Sequence, residues 1–325
     1  MNWSADKAKD EFYKMIMESK GVNVLAEDFL GKGSHARIYG ANYSRRSEKV
    51  VVKLIDRRDA DCIYLDKCLP REVLLLPTLK HPNVIEVFVI CENLNFTAFV
   101  QEFAENGTLQ QMINKKGRIP ESQSQFLLRQ LIEAIKYLES MNIIHRDIKG
   151  DNIFLDRYNN VKLGDFGLAR ILLSSEISNS QCGTEAFMAP ELLKGLDYRG
   201  NGCDVWSAGV TLHNTLTGSS AFLGQNQRDV VANQQSHTIN FPANAVSAKA
   251  EQLIRHMLHP TIELRASTQQ IIESSWLEGC SYYMRTQIGE QSLAANDASS
   301  QRANKPEKDF SEKTCIDDVS RIKEI

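Results

Sequence analysis

No run in this 325-residue chain approaches the roughly 18 consecutive apolar residues of a membrane-spanning helix. Cysteines are few: Cys62, Cys68, Cys91, Cys182, Cys203, Cys280 and Cys315, an odd total without a C-x-x-C pair. Such spacing excludes a secreted disulfide framework or a structural zinc site, and it places reduced thiols in the cytosol or nucleus. An excess of one charge is also missing. With 38 Lys+Arg against 41 Asp+Glu, nothing argues for a nucleic acid or anionic membrane partner. The first residues carry acids and lysines where a signal peptide needs an apolar core, and Asn2 stands where myristoylation needs glycine. What remains is ordinary globular composition, 42% hydrophobic and 24% charged, in a length that predicts about two packed units.

The hydrophobic pattern divides the chain. Residues 1–21 read as a weakly amphipathic helix with Phe12, Met15 and Ile16 on one face, expected as a frayed extension. Residues 22–104 are strand-like, with short apolar runs at 50–52 and 96–100 and a helical insert at 65–79. Beyond Asn106-Gly107 the spacing turns helical, with helices expected over 121–141, 204–216, 227–234, 248–258 and 268–274. The fold class expected is α+β and bilobal: a small, mostly β lobe (about 22–104) and a larger, mainly α lobe (about 105–278). From 279 to 325 the chain is polar, and about 285–325 is expected to be disordered because it cannot bury enough surface to offset its ordering entropy.

Several residue groups carry chemistry. Gly31-Lys32-Gly33-Ser34-His35-Ala36-Arg37-Ile38 precedes strand text, and its two glycines let backbone amides approach phosphate oxygens. Strand text, not helix, follows it, so it is no Rossmann fingerprint. Lys53 closes the run Val50-Val51-Val52, and Glu72, 19 positions on, can meet it from the helical insert. His145-Arg146-Asp147-Ile148-Lys149-Gly150-Asp151-Asn152 sets a base, cations and an amide at fixed offsets. Asp165-Phe166-Gly167 follows, then Gly183-Thr184 and Ala189-Pro190-Glu191.

In this order and spacing these motifs resemble the eukaryotic protein kinases, over about residues 24–278. The resemblance implies a bilobal kinase fold and transfer of the γ-phosphoryl group of ATP to protein hydroxyls, with Mg²⁺, or Mn²⁺ in its place. It implies that Gly31, Lys32, Gly33, Ser34, Ala36, Ile38 and Val51 surround the nucleotide. Glu102, Phe103 and Ala104 would form the hinge at the adenine, and Gln101 would gate the pocket behind it. Lys53, held by Glu72, would grip the α- and β-phosphates, and Asp165 and Asn152 would hold the metal. Asp147 would orient the acceptor hydroxyl and take its proton, Lys149 would steady the γ-phosphate, and Thr184 would bind both. Lys149 points to the serine/threonine type. Structural roles are implied for a Glu191–Arg265 ion pair, for Asp204 beneath the catalytic loop, and for a stack of Val87, Leu76, Phe166 and His145.

Arg146 beside Asp147 implies control by activation-loop phosphorylation through an upstream kinase, with Ser180 as the site and Ser174, Ser175 and Ser178 as competitors. The stretch 66–72, Asp-Lys-Cys-Leu-Pro-Arg-Glu, resembles the testis-specific serine/threonine kinases, a branch near the calcium/calmodulin-dependent group. No basic amphipathic helix in 279–325 suggests calmodulin binding. Thr108 and Asn214 are neutral where arginine-directed kinases often carry carboxylates, leaving Asp151 as a contact for arginine. Two rival readings are a catalytically silent pseudokinase scaffold, which predicts erosion at Lys53, Asp147, Asn152 or Asp165, and a small-molecule phosphotransferase, which would lack the Ala189-Pro190-Glu191 platform.

Overall fold

The computed structural model describes residues 7–292 except 174–175, 179–181, 199 and 288. Helix α1 (Lys7–Glu11) continues through a π-helical turn, Phe12–Met17, and a 3-10 turn, Glu18–Lys20. Strands β1 (Val22–Lys32), β2 (Ala36–Tyr43) and β3 (Val50–Asp56) follow. A π-helical turn at Tyr64–Cys68 leads into α2 (Leu69–Leu75), before β4 (Val87–Glu92) and β5 (Phe96–Glu102). The five strands form one antiparallel sheet in the order β1-β2-β3-β5-β4.

Period-2 alternation decides what this sheet presents to each side. Val50, Val52 and Leu54 of β3 pack outward with Phe12, Tyr13 and Met17 in one apolar cluster. Val51 and Lys53 turn inward to the cleft. Residues 7–20 are therefore not frayed, contrary to the expectation from their polarity. Phe12 and Met17 are fully buried against the sheet, Phe12 lies 5.3 Å from Phe96, and Lys20 Nζ donates to the Ile90 carbonyl at 2.9 Å. Ile16, placed on the same face from sequence, is half-buried, and the side chain of Met15 lies outside the described residues.

The second lobe starts with α3 (Leu109–Lys116), which the sequence pattern did not single out. Thr108 and Gln111 form its reciprocal capping box, satisfying two otherwise orphaned N–H groups. Helix α4 (Glu121–Ser140) is the central beam, burying Phe126, Leu131, Ile135 and Leu138 among others. Short strands β6 (Ile143–Ile144), β7 (Ile153–Leu155), β8 (Val161–Leu163) and β9 (Arg170–Ile171) carry the loops of the cleft floor. Helices α5 (Pro190–Leu193), α6 (Gly202–Thr217), α7 (Gln227–Gln235), α8 (Ala248–Met257) and α9 (Thr268–Ile272) complete the lobe.

The lobes are joined at their back. Asn83 accepts from the Leu163 amide at 2.8 Å, Ile85 N donates to the Leu163 carbonyl at 2.9 Å, and Lys162 pairs with Glu102 at 2.5 Å. The residues just past 278, expected to start an unstructured tail, also pack here. Strand β10 (Tyr283–Thr286) pairs with β11 (Gly289–Ser292). Tyr282 donates to Asn83 Oδ1 at 2.7 Å, Gln130 donates to the Tyr283 carbonyl at 2.7 Å, and Asn160 exchanges two 2.8 Å bonds with the Arg285 backbone. Asn83, Gln130 and Asn160 are buried polar side chains that need such partners. The expected disordered stretch beyond 292 lies outside the described residues.

Candidate functional site

A cleft of about 830 Å³ opens between the lobes. Its roof is the β1–β2 turn, where Gly33 N donates to the Ala36 carbonyl at 2.8 Å. Gly33, Ser34 and Ala36 line it with Ile38 and Val51, and Gln101, Glu102, Phe103 and Ala104 form its rear wall. Gly31 and Lys32 are not among its lining residues. Lys32 lines a separate small hollow with Lys9, Arg37 and Asp56 on the other side of the turn. Leu30 does line the cleft, and the β1–β2 register shifts between Phe29 and Gly31, so simple alternation does not carry past this point of the strand.

On the inner face, Lys53 Nζ meets Glu72 Oε1 at 2.9 Å and Asp165 Oδ1 at 3.7 Å. Burial alone would lower the Lys53 ammonium, but the two carboxylates outweigh it and hold its pKa above the ordinary value. The same ammonium pulls the Asp165 carboxyl below its usual range against the cost of burial, so Asp165 is ionised at neutral pH. Asp165 has φ 61°, a left-handed conformation uncommon for a non-glycine residue, and its side chain is half exposed to the cleft. Phe166, next to it, is fully buried and packs edge-on against His145 at 4.7 Å, with Leu76 and Val87 buried in the same core. Leu76, Val87 and Phe166 of the stack expected from sequence thus share one core, with His145 against Phe166.

The cleft floor is a hydrogen-bonded knot around Asp147. Its Oδ1 accepts from the Thr184 hydroxyl at 2.8 Å and the Thr184 amide at 3.0 Å. Its Oδ2 accepts from Lys149 Nζ and Asn152 Nδ2, both at 2.8 Å. Lys149 also donates to Thr184 Oγ1 at 2.6 Å. Asn152 spends its amide nitrogen on Asp147, which leaves its amide oxygen as the metal-competent atom. Gly183 makes this closeness possible: at φ 115° a Cβ there would lie 2.5 Å from the Arg146 carbonyl. Beneath the loop, Asp204, fully buried, accepts from the His145 and Arg146 amides, each at 2.8 Å. Those bonds support the left-handed backbone of Arg146, φ 67°.

Farther out, Arg265 binds Glu191 through both terminal guanidinium nitrogens, at 2.6 and 2.9 Å, with both side chains almost wholly buried. Arg71 is pushed down by burial and by the nearby positive charges of Arg146 and Arg170, so helix α2 and the catalytic loop face each other across a basic patch. Ser180, Ser174 and Ser175 lie outside the described residues. Ser178 is buried and accepts from Arg170 at 3.1 Å, which makes it a packing residue. Burial raises the Cys182 thiol, so a reactive thiolate is not favoured.

Sequence reasoning missed Tyr64. Its hydroxyl donates to Glu72 Oε2 at 3.1 Å, and its ring stacks on His35 of the roof at 4.1 Å and 10°. A regular helix would set residues eight apart about a quarter turn from each other. The wider π-helical turn ahead of Pro70, which cannot donate an amide hydrogen, alters that phase.

Among the described residues no three His, Cys, Asp or Glu side chains converge on a metal site of their own. Asp165 and Asn152 offer hard oxygens, a set that fits Mg²⁺, which normally takes its other ligands from phosphates and water. Among the described residues no helix is long and apolar enough to cross a membrane.

Comparison with known proteins agrees with this geometry. Residues 25–277 match the model of the protein kinase domain. Human testis-specific serine/threonine-protein kinase 1 is 34% identical over 256 residues, covering 77% of this chain and 70% of that protein. Mouse testis-specific serine/threonine-protein kinase 2 is 32% identical over 270 residues, 81% of this chain and 75% of that protein. The CBL-interacting serine/threonine-protein kinase 15 of Arabidopsis thaliana is 30% identical over 267 residues, 80% of this chain and 63% of that protein. A cleft built around Lys53, Asp147 and Asp165 on a bilobal frame, matched over nearly all of that frame, makes this chain a member of the protein kinase family, of the serine/threonine type.

Proposed function

We propose that the cleft transfers the γ-phosphoryl group of Mg-ATP to serine and threonine hydroxyls of protein substrates. Phosphoryl transfer asks a protein mainly to align two oxygens and to neutralise spreading charge. Lys53, fixed by Glu72, binds the α- and β-phosphates, and the backbone of 102–104 receives the adenine. Asp165 and Asn152 would hold Mg²⁺, which when bound neutralises charge on the phosphates. Asp147 accepts the hydrogen of the incoming hydroxyl and orients its oxygen, and Lys149 steadies the transferred group. Thr184 ties the activation segment to both.

The observation that carries the reading is the Asp147 carboxylate held by four donors while Lys53, Glu72 and Asp165 sit in register above it. A pseudokinase has no need to keep that alignment. The test is Mg-ATP turnover with a generic protein substrate beside Asp147→Asn, mapping the phosphorylated residues. The parent should label serine and threonine and the variant should fall by orders of magnitude. Equal rates, or no turnover from phosphorylated parent, would refute the proposal.

The basic patch of Arg71, Arg146 and Arg170 supports regulation by phosphorylation of Ser180, since an added phosphate would relieve their mutual repulsion. Ser180→Ala should then abolish activation by an upstream kinase.

A further inference from the structure

The π-helical turn ahead of α2 touches the cleft roof through an aromatic contact, and that contact reaches the phosphate-binding pair. His35 stands at the tip of the β1–β2 turn, with its ring stacked 4.1 Å from Tyr64. Tyr64 is buried, and its hydroxyl donates to Glu72 Oε2 at 3.1 Å. Glu72 is wholly buried and otherwise held by Lys53, at 2.9 and 3.3 Å. A buried carboxylate with one flexible lysine as its partner can rotate, whereas a second donor on the opposite oxygen fixes its plane. Burial drives the Tyr64 phenol well above its ordinary pKa, so it remains a donor at every working pH.

We infer that Tyr64 is a positioning residue with two roles: its hydroxyl orients Glu72 for Lys53, and its ring latches the cleft roof shut through His35. The inference rests on the nucleotide-binding reading above. The two roles separate by atom. The hydroxyl acts on the placement of Lys53, hence on the chemical step. The ring acts on how long the roof stays over the nucleotide, hence on ATP affinity. Both pass through one side chain, so roof closure and the Lys53–Glu72 pair are coupled without any direct contact between His35 and either partner.

A double-mutant cycle tests this. His35→Ala should raise KM for ATP about two- to tenfold, the value of one aromatic contact, with kcat nearly unchanged. In a Tyr64→Leu background the same substitution should have no further effect. Tyr64→Phe keeps the ring, so it should leave the His35 effect intact while lowering kcat about tenfold, as loss of a hydrogen bond to a buried charge allows. A merely structural Tyr64 would lower thermal stability without this split between kcat and KM. An equal His35→Ala effect in the Tyr64→Leu and parent backgrounds would overturn the latch. Parent-like kcat for Tyr64→Phe would overturn the positioning role. Titration with a fluorescent ATP analogue reads the affinity arm of the cycle without turnover, so an inactive parent that binds nucleotide would sink the kinase reading and leave the latch testable.

Discussion

Acidification should loosen the back of the molecule through His81. This residue lies in the turn ahead of Asn83, its Nδ1 accepts the Asn83 amide hydrogen at 3.1 Å, and its ring stacks 5.0 Å from Tyr137. Burial, and secondarily the charge of Lys162, lowers its pKa from 6.5 to about 4. A protonated ring could not accept the Asn83 bond. The folded state therefore prefers neutral His81, and its contribution to stability is complete above pH 6.5 and is lost as pH falls toward 4. At about 1.4 kcal/mol per pKa unit, the difference between folded and unfolded titration comes to about 2 kcal/mol between pH 7.5 and 5. Other groups titrate in that window, so the assay is a difference: urea unfolding of the parent and of His81→Phe at each pH. The parent should lose about 2 kcal/mol more than the variant over this range, some 4–8 °C in Tm for a domain of this size. Parallel stability curves would show that His81 titrates normally and would refute the account of this turn.

Three further outcomes follow from other contacts. Arg265→Ala leaves the Glu191 carboxylate buried without its cation and should cost about 3–5 kcal/mol, read by chemical denaturation; a loss below 1 kcal/mol would show that water reaches the pair. Thr184→Val removes the hydroxyl that bridges Lys149 and Asp147, and kcat should fall about tenfold or more with KM for ATP little changed; unchanged kcat would dissociate Thr184 from the site. A chain stopped after Cys280 loses four hydrogen bonds to oxygen and two to the Met284 sulfur between residues 282–285 and Asn83, Gln130 and Asn160. After the ordering entropy of the segment is subtracted, it should be less stable by about 1–3 kcal/mol, and an unchanged Tm would mean that the segment is only laid on the surface.

The part of the cleft proposed to transfer phosphate was legible because that chemistry needs particular residue types at particular spacings, and those survive as text. Lys53, Glu72, Asp147, Asn152, Asp165 and Thr184 all converge. The misses have one physical root each. Phe12 and Met17 are five residues apart and both fully buried, a spacing that α-helical periodicity sends to different sides but a π-helical turn nearly aligns. The same device hid Tyr64. Residues 282–285 were assigned to a polar tail because composition weighs side chains, whereas this segment docks largely through backbone groups that answer buried amides. Helix α3 is short and mostly polar, and its signals, the Thr108–Gln111 cap, the Leu109, Met112 and Ile113 face and the terminal Gly117, are spread over only about two turns.

The paired backbone bonds between the Asn83–Ile85 stretch and Leu163, with the Glu102–Lys162 bridge beside them, act as the spine of a book. Breathing of the mouth is then rotation about a stationary binding, not a parting of the covers. Displacement should grow with distance from that line, largest at the glycine turn and least at Asn83. Paired spin labels placed front and back would see broad and narrow distance distributions respectively, and a nucleotide would narrow only the first.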